Sequence, residues 1–73
     1  MKPHPIMLWR YRHDPPLSQR QAADVLGVTN AAISRWEDGT RIIDLNLAIA
    51  ISEKTGIPIK ELRPDLNAIF NQP

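Results

Sequence analysis

The chain contains no cysteine, which excludes disulfide staples, thiolate metal sites and thiol nucleophiles together. Aromatic residues are scarce, 5% of the chain against 42% hydrophobic residues in all. A core must therefore be built from Leu, Ile, Val and Ala, a composition that suits packed helices. Long apolar runs are missing as well. The opening MKPHPIMLWR carries a basic residue, but its apolar stretch is too short and too interrupted by proline for a signal peptide or a membrane span. On this reading the protein is cytoplasmic, with no membrane partner. Its 73 residues suffice for one domain with a modest core and fall short of an enclosed active-site cavity. A binding module is favoured over an enzyme, and no catalytic residue is assigned.

A large charge of one sign is also absent, since the formal net charge is +1. The distribution is less even than the total. Residues 1–41 carry Lys2, Arg10, Arg12, Arg20, Arg35 and Arg41 against four acids, whereas residues 42–73 carry three bases against four acids. The basic excess thus falls on the first half of the chain.

Prolines stand at positions 3, 5, 15, 16, 58, 64 and 73, so the uninterrupted interval from Leu17 to Ile57 must hold most of the regular structure. A first short helix fits about Pro5 to His13, with a proline at its start and Pro15-Pro16 beyond its end. Ser18 followed by Gln21 forms a capping box for a second helix that runs to Gly27, with Ala22, Val25 and Leu26 at helical spacing. Only Val28 separates Gly27 from the next cap, Thr29, and so short a link forces the third helix to cross the second steeply. That third helix spans Asn30 to about Asp38, with Val28 and Ile33 placed as a hydrophobic staple and Gly39 as its stop. A fourth, about Leu45 to Thr55, is apolar nearly all round and reads as central to the core. A fifth fits Pro58 to Leu62. The fold class is all-α, one domain over 1–73 with a core over about 5–63 and a tail over 64–73.

At about 100° per residue, Asn30, Ala31, Ser34, Arg35 and Asp38 share one arc of the third helix, and Ala32, Ile33, Trp36 and Glu37 share the other. The first arc is short-chained apart from Arg35, so a partner surface can approach it closely. Asn and Arg side chains can pair with adenine and guanine edges, and Ala or a Thr methyl can meet the thymine methyl. The competing reading of this arc is a solvated helix face, which would prevail without the preceding turn. His4, His13 and Asp14 match no standard metal-site spacing and read as solvated, so no metal or cofactor is assigned. Asp14 and Glu61 lack any partner that would make them catalytic acids. Arg10, Arg20, Lys54, Lys60 and Arg63 read as ordinary surface charges, with phosphate contact as the alternative for Arg10 and Arg20 where their side of the domain faces a nucleic acid.

The block LSQRQAADVLGVTNAAISRWEDG, Leu17 to Gly39, resembles the lambda Cro and repressor-like helix-turn-helix proteins, the Xre family, and LAIAISEKTGIPIKEL resembles that family's fourth and fifth helices. The resemblance covers about Leu17 to Leu62 and implies a five-helix domain whose second and third helices dock on double-stranded DNA. It also implies site residues. Base edges would be read by Thr29, Asn30, Ala31, Ser34 and Arg35. Phosphate would be held by Gln19, which also supports Asn30, and by Arg41, whereas Ala32 lacks the hydroxyl that relatives often carry there; Arg20, outside what the resemblance implies, would join them if its side of the domain faces the duplex. Arg12 and Glu37 fall where some relatives form a partly buried salt bridge between the first and third helices.

The function implied is that of a transcriptional regulator of bacterial or phage origin, a Cro-like repressor binding a palindromic operator as a homodimer. Leu66, Ile69 and Phe70 are the dimer-contact candidates, with capping of the core as the equal alternative. The low net charge keeps a second reading open, in which the same scaffold is an antitoxin or other module whose partner is a protein such as a toxin.

Overall fold

A computed structural model describes residues 3–66 of the chain. Within them lie five α-helices and no strand: α1 (Pro5–Tyr11), α2 (Gln19–Leu26), α3 (Asn30–Asp38), α4 (Leu45–Thr55) and α5 (Ile59–Leu62), followed by a single 3₁₀ turn over Pro64–Leu66. The residues group into two compact units, one ending at Ile42 and the other starting at Ile43.

In the first unit every helix start is fixed by a side chain. His4 caps α1, its Nδ1 accepting from the Ile6 N–H at 3.1 Å. This helix stops at Tyr11, short of the His13 end expected from the proline positions. The backbone there turns back on itself, the Leu17 N–H donating to the Arg10 carbonyl at 3.0 Å. The Asp14–Pro15 peptide bond is cis.

Ser18 and Gln21 form the full capping box of α2, with Ser18 Oγ accepting from the Gln21 N–H and Gln21 Oε1 accepting from the Ser18 N–H. Gly27 closes α2 at φ 71°, in the left-handed region where a side chain would be strained. Thr29 opens α3, its Oγ1 accepting from the Ala32 N–H at 3.1 Å. A Schellman pair ends α3, Thr40 donating to the Arg35 carbonyl and Gly39 to the Trp36 carbonyl.

Helix α3 packs on both α2 and α1. The side chains that fill this unit are Ile6 and Trp9 from α1, Ala22, Ala23 and Leu26 from α2, and Ile33 and Trp36 from α3, all buried. The small Ala22 and Ala23 let α2 and α3 approach closely. Val25, expected on the buried stripe, is 49% exposed. The stripe runs through positions 22, 23 and 26, and Val25 lies off its edge. Val28 is half-buried rather than fully enclosed.

The second unit is simpler. Asp44 caps α4, Thr55 ties its end to the following turn by accepting from the Ile57 N–H, and α4 packs on α5. Ile43, Ala48, Ile51, Ile57 and Leu62 are buried. Helix α4 contributes to this core through Ala48 and Ile51, but its apolar surface is not covered all round, since Leu45 and Ile49 are exposed. Its buried stripe runs through Ala48 and Ile51, with Leu45 and Ile49 on the adjoining arc, and a chain this small cannot surround a helix on every side. Arg63, read as a plain surface charge, donates from Nη1 to the Ile43 carbonyl at 2.9 Å while pairing with Asp65.

Candidate nucleic-acid interface

Helix α3 divides as its sequence predicts. Ile33 and Trp36 are buried, whereas Thr29, Asn30, Ala31 and Arg35 are exposed and Ser34 is half-buried. The exposed arc is therefore low at its N-terminal end, where a Thr, an Asn and an Ala follow one another, and rises only at Arg35. Thr29 serves the helix start with its hydroxyl oxygen as acceptor, a bond that does not use the hydroxyl proton. Ala32 is half-buried and has no polar atom to offer beyond its backbone. Asp38, on the same arc, is held at the far end of α3. Its carboxylate accepts from the Thr40 hydroxyl at 2.7 Å and the Thr40 N–H at 2.9 Å, bonds that keep it below the usual carboxylate range.

The N-terminus of α2 carries the second part of the surface. The capping box satisfies the Gln21 N–H, and Ala22 donates to the Ser18 carbonyl, so the N–H groups of Gln19 and Arg20 are not used by the helix. Partial positive charge at such an end favours an anion. Arg20 is exposed beside it. Arg41 is exposed beyond α3, its own N–H donating to the Arg35 carbonyl at 3.3 Å.

Gln19 is half-buried, and its hydrogen bond runs to Glu37, Nε2 donating to Oε1 at 3.1 Å, rather than to Asn30. Glu37 is in turn the hub of the unit. Arg10 donates to it twice, Nε to Oε2 and Nη2 to Oε1, both at 2.7 Å, and sends Nη1 to the Leu17 carbonyl at 3.0 Å. Burial pushes the Glu37 carboxyl up, but the hydrogen bonds from Arg10 and Gln19, with the Arg10 charge, outweigh it and hold the group below its ordinary value. Arg10 is held above its ordinary value, chiefly by its hydrogen bond to Glu37.

The partner of Glu37 is thus Arg10, and the expected pairing with Arg12 is corrected. Arg12 is exposed. The reason is angular: Arg10 follows Ile6 by four residues and lies with it and Trp9 on the buried stripe, whereas Arg12 stands just past the end of α1, about 200° around the helix axis from Arg10. That spacing is the one signal in the sequence that favours Arg10 over Arg12, and it does not by itself name Glu37 as the partner. His4 is corrected too. It is half-buried and caps α1, and burial lowers its pKa while the Glu37 charge opposes that shift. Among the described residues no group of three or more His, Asp or Glu side chains could hold a metal ion. Of the three dimer-contact candidates, Leu66 is half-buried in the 3₁₀ turn, and Ile69 and Phe70 lie outside the described residues.

Two helices joined through Gly27 and Val28, with a shallow exposed arc on the second, define a helix-turn-helix unit. A family model described as helix-turn-helix matches residues 17–62, more than half of the chain. The chain belongs to this family, the lambda Cro/repressor-like kind, and is a DNA-binding transcription regulator. Comparisons with curated proteins and with solved structures returned no match. Among the described residues no helix is long and apolar enough to cross a membrane.

Proposed function

We propose that this chain is a Cro-like repressor that reads a specific double-stranded sequence, its 73 residues acting as one domain. The observation that carries the reading is the exposed arc of α3, where Asn30 and Ala31 at the helix start and Arg35 a turn later stand free of the core. Small residues at the N-terminal end let the helix enter a major groove, and Asn30 and Arg35 can form paired hydrogen bonds to base edges, with Ser34 and Thr29 at the margins. Gln19, Arg20 and Arg41 would contact phosphates and set the helix in register without reading sequence.

One such helix covers only a few base pairs, so useful specificity requires two copies on a two-fold symmetric operator, with half-sites about one turn, roughly 34 Å, apart. Selection of bound duplexes from a random pool at moderate salt tests this reading. A palindromic consensus supports it, and the absence of any enriched sequence defeats it.

A further inference from the structure

We propose that Glu37 is a positioning residue for the DNA contact of Gln19, with Arg10 as its anchor; this rests on the reading of Gln19 as a phosphate-facing side chain. An ionised carboxylate only accepts hydrogen bonds, so the Gln19 amide must turn its nitrogen, not its oxygen, toward Glu37. The polarity of the amide is thereby fixed. One of its two N–H groups is committed to Glu37, and the other remains as a donor for a phosphate oxygen.

Glu37 can impose this because it cannot turn. Both of its oxygens are held by Arg10, and its side chain is 3% exposed. Arg10 is itself pinned by its bond to the Leu17 carbonyl, two residues before Gln19. The network therefore closes a ring through α1, the lead into α2, the first side chain of α2, and α3. It has two consequences for a phosphate. The Glu37 charge is offset by Arg10 at hydrogen-bond distance, so it opposes an approaching anion less than a bare carboxylate would. The Gln19 side chain is also ordered before binding, which removes part of the entropic cost of the contact.

The test is a mutant cycle on the duplex selected above, with DNA affinity and thermal unfolding measured for each protein. Arg10→Met/Glu37→Met replaces the buried pair with apolar side chains, an exchange that can preserve folding, and Arg10→Leu/Glu37→Leu is the second variant. Each is made in the native background and with Gln19→Ala. In the native background, both variants are expected to bind about three- to tenfold more weakly, the worth of one hydrogen bond. With Gln19→Ala already present, neither should lose affinity further, an outcome that a merely stabilising pair would not give. Equal losses in the two backgrounds, or no loss in either, overturn the positioning role. If the native chain itself binds no duplex, the DNA reading fails first and the positioning role falls with it.

Discussion

Arg10 and Glu37 meet side by side, two parallel hydrogen bonds of 2.7 Å joining α1 to α3, with 7% and 3% of the two side chains exposed. A pair this deeply placed costs more when halved than when wholly replaced, because the survivor is left charged and unpaired in a dry site. Glu37→Ala or Arg10→Ala should lower stability by about 3 to 5 kcal/mol. Arg12→Ala, at an exposed position, should stay within about 0.5 kcal/mol of the native chain. Urea unfolding of the three variants checks the assignment, and a larger effect at Arg12 than at Arg10 would reverse it.

Acid should weaken the first unit in two stages. His4 caps α1 through an unprotonated Nδ1, and its folded pKa lies below its ordinary value near 6.5. Its contribution is complete above about pH 6.5 and is lost as pH falls through the lowered value. Glu37 also titrates below its ordinary value near 4.5, so its contribution is complete above that value and is lost further down. Thermal midpoints measured from pH 7 to pH 3 should fall in both ranges, and His4→Asn, which retains a capping oxygen, should remove the upper one.

At Gly39, with φ +82°, a β-carbon added to the backbone would meet nothing within 4 Å. Any penalty for a side chain there is conformational rather than steric. Gly39→Ala should cost about 1 to 2 kcal/mol, and Gly39→Asn should cost less, since Asn tolerates the left-handed region. Similar costs for the two substitutions would mean that something other than backbone conformation is at work.

In the second unit, Arg63→Ala removes the donor to the Ile43 carbonyl together with the Asp65 pair, whereas Asp65→Ala removes only the pair. The first should lower the thermal midpoint by more than the second. Equal shifts would show that the carbonyl contact contributes nothing.

On the DNA side, Arg35→Ala should relax preference at one base position by about 1 to 3 kcal/mol. Gln19→Ala should weaken binding to all sequences alike and leave the preferred sequence unchanged. Affinities against a panel of single-base operator variants separate the two. A uniform loss at Arg35, or a new base preference at Gln19, would exchange their roles.

Much of this arrangement is legible in the residues themselves. The Ser18–Gln21 box, Thr29 and the three glycines mark where α2, α3 and α4 begin or end, because caps act within a few residues of their own position. The inward Ile33 and Trp36 follow from helical spacing in the same way. What local pattern does not specify is which distant side chain meets Glu37. The choice of Arg10 over Arg12 depends on how α1 is rotated against α3, and a charged residue on a buried stripe looks like an interruption until its partner is seen. The exposure of Val25, Leu45 and Ile49 is hidden for a related reason. Apolar character states that a side chain gains by burial, not that a chain of this size has enough neighbours to bury it.

The Thr29 cap also sorts the proposed reading positions by how freely they can change. Replacing Thr29 with Ala would cost α3 its first hydrogen bond, so any gain in base preference there is tied to a loss of folding. Asn30, Ala31 and Arg35 hold no such bond with their side chains and stand outside the core. Drift in operator preference, in nature or in a library, has these three positions as its inexpensive route, and a retargeted descendant of this chain should differ at them while keeping a capping side chain at position 29.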